Sequence, residues 1–350
     1  MIICQTLWTN KKKLIENDFG WLSPQHHIIA WALSCLQLRK FYEQVDLYTD
    51  SVGADILIES LNLPYTNVFT SYDNLICNPV LWAYPKVITF SKQDSPFIHV
   101  DGDVIIWKSF KQKVEEAVLI AQNLEVSTQY YDNLFSAYKS KLFYYPNYLK
   151  KNLFSGRSYS YNAGVLGGSS IDFFKQYRLE AERIIRNNKR NQLDSNFNII
   201  LEQLLFYSLA KKRNDKVACI YDKEVNDNGY SHAEFANFPM ISQLSYLHFI
   251  GNHKRNKQVC DWMSNFLYNE YPETFSGIMT LFKKTHFHFS KVHNHIGKTC
   301  GTSKPLPFTF SRTVELLNLL TKTTNNISHV TLKRLVNNSH NSMLKSLYNY

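Results

Sequence analysis

The sequence predicts an α/β fold, a mainly parallel sheet flanked by helices, and three observations predict it. Short apolar runs alternate with longer segments of helical periodicity, as in successive βαβ units. One apolar run, "FIHV", ends abruptly in Asp101-Gly102-Asp103, and another, "YNAGVLGG" at 161–168, is dense in glycine. The 350 residues are 44% hydrophobic and 15% aromatic, which suits one large domain or a domain with an appendage and argues against disorder over most of the chain.

Taken in order, "MIICQTLW" reads as a buried strand whose end carries Thr6, Trp8 and Thr9, with a basic loop at 11–13 behind it. Pro24 opens a helix over "PQHHIIAWALSCLQLRKFY", because proline suits a first helical turn and apolar residues then recur at helical spacing. "VDLYTD" is a strand ending in Asp50; a helix from Gly53 to Leu61 and a short strand from Tyr65 to Phe69 follow. A helix carrying Lys86, entered or kinked at Pro85, precedes the strand that stops at Asp101. Farther on come a tyrosine-rich stretch at 130–148, the glycine-bearing strand with Asn162 and an amphipathic helix. A mostly apolar helix then contains Glu202 and Gln203, and a strand leads into His248, Gly251 and Lys254. A polar pair within an apolar helix needs solvent, a partner or a ligand.

Charge and cysteine usage narrow the class. Lys and Arg exceed Asp and Glu by 39 to 29, a formal charge of +10 that suits nucleotides, anionic lipid surfaces or nucleic acid. The basic residues are dispersed and no nucleic-acid-binding signature occurs, so nucleic acid is the less favoured partner. No apolar run approaches the roughly 20 residues of a membrane span, and the N-terminus lacks the order of a signal peptide, so a cytoplasmic chain is expected. The six cysteines include no CxxC pair and read as reduced thiols.

Asp101-Gly102-Asp103 admits two readings, a solvated turn or a metal site at a strand's carboxyl end, where open α/β sheets bind ligands. The rest of the chain favours the second. In order, the helix with Lys86, "FIHVDGDVII", "YNAGVLGG", Glu202-Gln203 and "HFIGNHK" resemble the nucleotide-diphosphosugar transferases of the GT-A fold. Within that fold the motif order is most similar to retaining glycosyltransferase family 8, the type of glycogenin and the bacterial lipopolysaccharide galactosyltransferases. The resemblance covers residues 1–260, which it makes a GT-A nucleotide-sugar-binding and catalytic domain on a Rossmann-like mixed sheet. Residues 261–350 are then a mainly helical C-terminal extension.

The resemblance implies Mn2+ or Mg2+ held by Asp101, Asp103 and His248, with Lys254 of His248-x-x-Gly251-x-x-Lys254 on the diphosphate. Asp101 would also lie near the ribose. It assigns Thr6, Trp8, Thr9, Asp50, Lys86 and Gly251 to the nucleotide-sugar donor, expected to be a UDP-sugar, and Asn162, Glu202 and Gln203 to the reacting sugar. The acceptor would be a glycan or a lipid-linked sugar of polysaccharide assembly, and the reaction would retain anomeric configuration. A basic C-terminal tail would hold the chain at the inner face of the membrane. Two positions depart from the family pattern. Glu202 replaces its Asp, and Arg255-Asn256 stand where Pro-Trp usually follows.

Each assignment has a plainer counterpart. Trp8 either stacks on a base or packs; Asp50 binds ribose or caps a turn; Glu202 and Gln203 line the site or form a polar helix face. The histidines of "HFHFSKVHNH" read as surface, and the tyrosine-rich stretch is either an acceptor-facing lid or core. Two other functional classes stay open: a non-catalytic relative that binds nucleotide sugar or glycan, and a basic nucleic-acid-binding protein.

Overall fold

The structure is a computed structural model of the 350-residue chain, and it describes residues 1–284 except 128, 139–140, 155, 189–192 and 227–244. The histidine-bearing stretch after 285, Cys300 and the C-terminal tail lie outside the described residues.

In chain order the elements are β1 (Ile2–Leu7), α1 (Pro24–Phe41), β2 (Val45–Thr49), α2 (Ser51–Ala54) continuing as a π turn (Asp55–Ser60), β3 (Asn67–Phe69), α3 (Tyr84–Lys92), β4 (Phe97–Val100) and β5 (Val104–Ile106). There follow α4 (Gln112–Glu115), β6 (Leu119–Ala121), β7 (Leu124–Val126), α5 (Gln129–Tyr138), α6 (Asn147–Leu153), β8 (Tyr159–Tyr161), β9 (Val165–Gly168) and α7 (Ile171–Asn187). The chain continues with α8 (Phe197–Ile199), a π turn (Ile200–Leu204), α9 (Leu205–Arg213), β10 (Val217–Cys219), β11 (Tyr246–His248), a 3-10 turn (Gly251–Arg255), α10 (Lys257–Glu270) and α11 (Pro272–Lys284).

The main sheet has strand order β10-β6-β9-β4-β1-β2-β3, and only β9 runs against the others. The α/β class and mainly parallel sheet expected from the sequence are therefore present, with helices on both faces. Going outward from β1 in one direction come β2 and β3, and in the other β4, so strand order reverses between β1 and β4. At such a switch point the chains after two adjacent strands diverge and leave a crevice beyond their carboxyl ends. The segments after β1 and β4 are those carrying Thr9 and Asp101.

Neighbouring residues of the central strands serve opposite cores. Cys4 and Phe97 pack with α3, α7 and α9, whereas Ile3 and Ile98 pack with Leu38, Val104, Ile106 and Tyr246 on the other face. Burial on both faces explains why these strands are mostly apolar with no regular polar face. A third cluster joins α1 to α10 and α11 through Ile28, Ile29, Val259, Met263, Leu267 and Ile278, so residues 257–284 are part of the compact unit that begins at Met1.

Several elements differ from the sequence-based expectations. The segment expected as one strand around Asn162 is two: β8 pairs with β7 in a small separate sheet, and β9 enters the main sheet between β4 and β6. Residues 162–164 form the crossing between them. Both helices that follow Asp50 and Phe197 loosen into π turns. In the second, the Leu201 and Glu202 carbonyls share the Tyr177 hydroxyl, at 2.9 and 2.6 Å, which compensates for ordinary helical pairing lost in the wider turn. The tyrosine-rich stretch mostly packs: Tyr131, Leu134 and Tyr138 are buried in the core, with Tyr130 and Phe143 exposed.

Candidate functional site

Asp101 and Asp103 sit in the tight turn between β4 and β5, closed by the Val104 N–H donating to the Asp101 carbonyl at 3.0 Å. Gly102 separates them because Trp31 of α1 lies against the turn: a Cβ at 102 would come within 2.4 Å of the indole. β5 pairs antiparallel with β11 in the register Val104 to His248, and the Phe249 N–H donates to the Asp103 carbonyl at 3.0 Å. This pairing delivers His248 to the turn, with Nε2 3.4 Å from Asp103 Oδ1. The 3-10 turn after β11 places the Lys254 ammonium 2.5 Å from Asp103 Oδ2. Gly251 opens that turn at an exposed position.

On the opposite side, Lys86 of α3 is buried and contacts both Asp101, at 2.7 Å, and Glu202 of the second π turn. The Asp101 backbone N–H donates to the Gly164 carbonyl at 2.9 Å. Gly164 also borders the His248 ring: a Cβ there would lie 2.4 Å from Cε1 and 2.5 Å from Nδ1. The structure thus brings Lys86, Asp101, Asp103, His248, Lys254 and Glu202 into one contiguous cluster, with Gly164 as the space that lets the parts meet.

Electrostatics separate the two aspartates. Burial drives the Asp101 carboxyl up, and Lys86 offsets this only in part. Burial acts on Asp103 too, but Lys254 and His248 outweigh it and hold that carboxyl well below the usual range. Glu202 is pushed up to about 7, first by burial and then by the Asp101 charge, against the opposing pull of Lys86. Burial alone would lower the Lys86 ammonium, yet its two carboxylate partners raise it, so it stays charged.

Asp101, Asp103 and His248 offer ligand atoms that all lie within 4.8 Å of one another. Two carboxylates and an imidazole suit Mn2+, which accepts oxygen and nitrogen donors, better than a soft-metal site would. The residues therefore fit a divalent cation. Three donors also leave coordination positions for a ligand's own oxygens.

The remaining candidates divide. Gln203 is partly exposed and accepts a 2.6 Å hydrogen bond from the buried Tyr131 hydroxyl. Asn162 is buried, accepts from the Gly164 N–H at 3.0 Å and donates to Glu125 at 3.1 Å. Thr9 and Asp50 hold each other: Asp50 Oδ2 accepts from the Thr9 N–H and hydroxyl, both at 2.8 Å, while Oδ1 caps α2 through the Gly53 N–H. Thr6 donates to the Thr89 hydroxyl at 2.7 Å and lies 3.0 Å from His99 Nε2, under α3. Trp8 packs partly buried against the α3, α7 and α9 core.

Two buried polar residues beside the site were not singled out from the sequence. His99, in β4, has Nδ1 3.6 Å from Asp101 Oδ1; burial and Lys86 hold it well below the usual imidazole range, so it is neutral. Glu125, in β7, is pushed up to about 7 by burial, with hydrogen bonds from Asn162 and Ser160 opposing that rise. The available signal was a polar residue flanked by apolar ones, His99 in "FIHV" and Glu125 in "LEV".

Residues 1–281 match a family described as of unknown function, DUF6734. No curated protein matches the chain. Among solved structures, the chain is similar to the galactosyltransferase LgtC in complex with donor and acceptor sugar analogues, at 12% identity and a TM-score of 0.36 over 75% of this chain and 96% of that one. It is also similar to an active-site mutant of LgtC, at 11% identity and a TM-score of 0.39 over 79% of this chain and all of that one.

Proposed function

The chain belongs to the DUF6734 family, and we propose that it is a metal-dependent GT-A glycosyltransferase that moves a sugar from a nucleotide diphosphate, UDP in the first instance, to a glycan or lipid-linked acceptor. The observation that carries this reading is the meeting of Asp101, Asp103 and His248 at the switch point of a mainly parallel sheet, flanked by the ammonium groups of Lys86 and Lys254. Carboxylates alone would repel a diphosphate. A cation site bordered by lysines suits one.

Asp101, Asp103 and His248 would hold Mn2+ or Mg2+, which when bound supplies Lewis-acid charge to a diphosphate. Lys254 lies on a surface-facing turn and is partly exposed, so its ammonium is available to a phosphate as well as to Asp103. As a sugar-phosphate bond breaks, negative charge gathers on the leaving diphosphate, and a fixed ammonium there stabilises the transition state more than the ground state. Lys86 is almost fully enclosed between Asp101 and Glu202 and orients both carboxylates. Gln203 and Glu202 share the second π turn, and Asn162 sits at the crossing between β8 and β9. These three are the residues proposed to face the sugar, with retention of configuration as the proposed outcome.

The test is thermal unfolding of the full chain with UDP, GDP, CMP or TDP, each with and without Mn2+, on wild type and Asp103→Ala. A stabilisation by one nucleotide that needs both the metal and Asp103 is expected and selects the donor class for a sugar screen. No shift with any nucleotide overturns the reading.

A further inference from the structure

We propose that Gln122 is a positioning residue for His248: its side-chain oxygen takes the Nδ1 proton of that imidazole and thereby leaves Nε2 as the nitrogen that faces Asp103 and a bound cation. The inference rests on the metal-site reading above.

Gln122 directly follows β6 and is fully buried. Its backbone has no freedom to turn away, because its N–H donates to the Asn162 carbonyl at 3.2 Å and its own carbonyl accepts from the Tyr221 N–H at 2.9 Å. The amide's orientation is set by Nε2, which donates to Asn123 Oδ1 at 3.2 Å. That bond directs Oε1 the other way, where it has no hydrogen-bond partner. His248 Nδ1 is likewise buried without one. Both atoms lie 2.5 Å from the point that a Cβ on Gly164 would occupy. An acceptor and a ring nitrogen, each without a hydrogen bond, therefore border the same space that glycine leaves open.

Leaving either atom unpaired in a buried site costs free energy, and one hydrogen bond between them would satisfy both. The chemistry allows only one direction. A glutamine oxygen cannot donate, so Nδ1 carries the proton, and in the neutral ring Nε2 then keeps its lone pair. An imidazole ligates through an unprotonated nitrogen, and a partner on the far nitrogen selects which one that is. On the other edge of the ring, Nε2 is the atom 3.4 Å from Asp103 Oδ1. Gly164 has a role in the same arrangement, since any side chain there would collide with both groups.

The experiment compares wild type, Gln122→Met, which keeps length and loses the acceptor, and Gln122→Glu, which keeps an acceptor. The tautomer of His248 is read from side-chain 15N shifts in histidine-labelled full-length protein without metal, at a pH where the ring is neutral, its signals identified by their loss in His248→Asn. Mn2+ affinity is read by titration calorimetry without nucleotide. The Nδ1–H tautomer in wild type and in Gln122→Glu, with its loss and an about tenfold weaker Mn2+ affinity in Gln122→Met, is the expected result. An Nε2–H tautomer in wild type, or Gln122→Met binding Mn2+ as wild type does, overturns the inference while leaving the metal site standing. Wild type with the Nδ1–H tautomer but no Mn2+ binding overturns the metal reading and with it the purpose assigned to Gln122.

Discussion

The Lys254 ammonium lies 2.5 Å from Asp103 Oδ2, on the same carboxylate whose other oxygen faces His248 Nε2 at 3.4 Å. A divalent cation on Asp103 and the Lys254 ammonium therefore compete for one carboxylate. Lys254→Met should bind Mn2+ alone severalfold more tightly than wild type, because a competing charge-assisted hydrogen bond is gone. The same variant should lose most of the additional stabilisation that UDP provides with Mn2+. Calorimetric titration of metal and then nucleotide separates the two effects; equal weakening of both would remove Lys254 from the proposed phosphate role.

Lys86 is enclosed between Asp101 and Glu202, and removing one member of a buried charged set leaves the others uncompensated. Lys86→Met should cost about 3–5 kcal/mol of folding free energy in urea melts. Adding Glu202→Gln should recover part of that loss, since one of the stranded carboxyls is then neutral. A Lys86→Met protein as stable as wild type would show that the cluster is better hydrated than its burial implies.

Glu125 bears on pH dependence. Its carboxyl is pushed up from about 4.5 to about 7 by burial, against hydrogen bonds from Asn162 and Ser160, so the folded protein holds a proton that the unfolded chain releases. Its contribution to stability is complete below about pH 4.5 and is lost as pH rises through about 7. Glu125→Gln, neutral throughout, should flatten the stability profile across that window, with a difference of up to roughly 3 kcal/mol at its upper end. Parallel denaturant melts from pH 4 to 8 measure it, and identical profiles would mean that Glu125 ionises normally in the fold.

Gly102 tests the packing behind the metal turn. A methyl group there meets carbons of the Trp31 indole at 2.4 to 2.7 Å, so either the ring or the turn has to move. Gly102→Ala should cost about 1–3 kcal/mol through overpacking, shift tryptophan emission and weaken Mn2+ binding by displacing Asp101 and Asp103 relative to His248. Unchanged emission and unchanged affinity would indicate that Trp31 yields freely.

Much of this was open to a reader of the chain. The strands around residues 1–8, 45–49 and 97–100 are mostly apolar, since both faces of each are buried. Pro24 and the apolar spacing after it mark α1. Asp101-Gly102-Asp103 and His248-x-x-Gly251-x-x-Lys254 are local patterns whose side chains differ sharply from the apolar strands that precede them. Local sequence therefore determined the α/β class and the set of groups from which a site can be built, because periodicity and abrupt polar breaks are properties of neighbouring residues.

What only the tertiary structure decided is which of those groups meet. The β5–β11 pairing carries His248 to Asp103, and the passage of 162–164 between two sheets puts Gly164 against both Asp101 and His248. Enclosure of Lys86 by Asp101 and Glu202 has the same origin, as does the drawing of Asp50 and Thr9 into a mutual clasp. His99, Gln122 and Glu125 gain their significance only there, each being an ordinary polar residue until its neighbours from distant segments are known. The physical reason is that burial and charge pairing are properties of proximity in space. They set the protonation of Asp101, Asp103 and Glu202, and no local pattern encodes them.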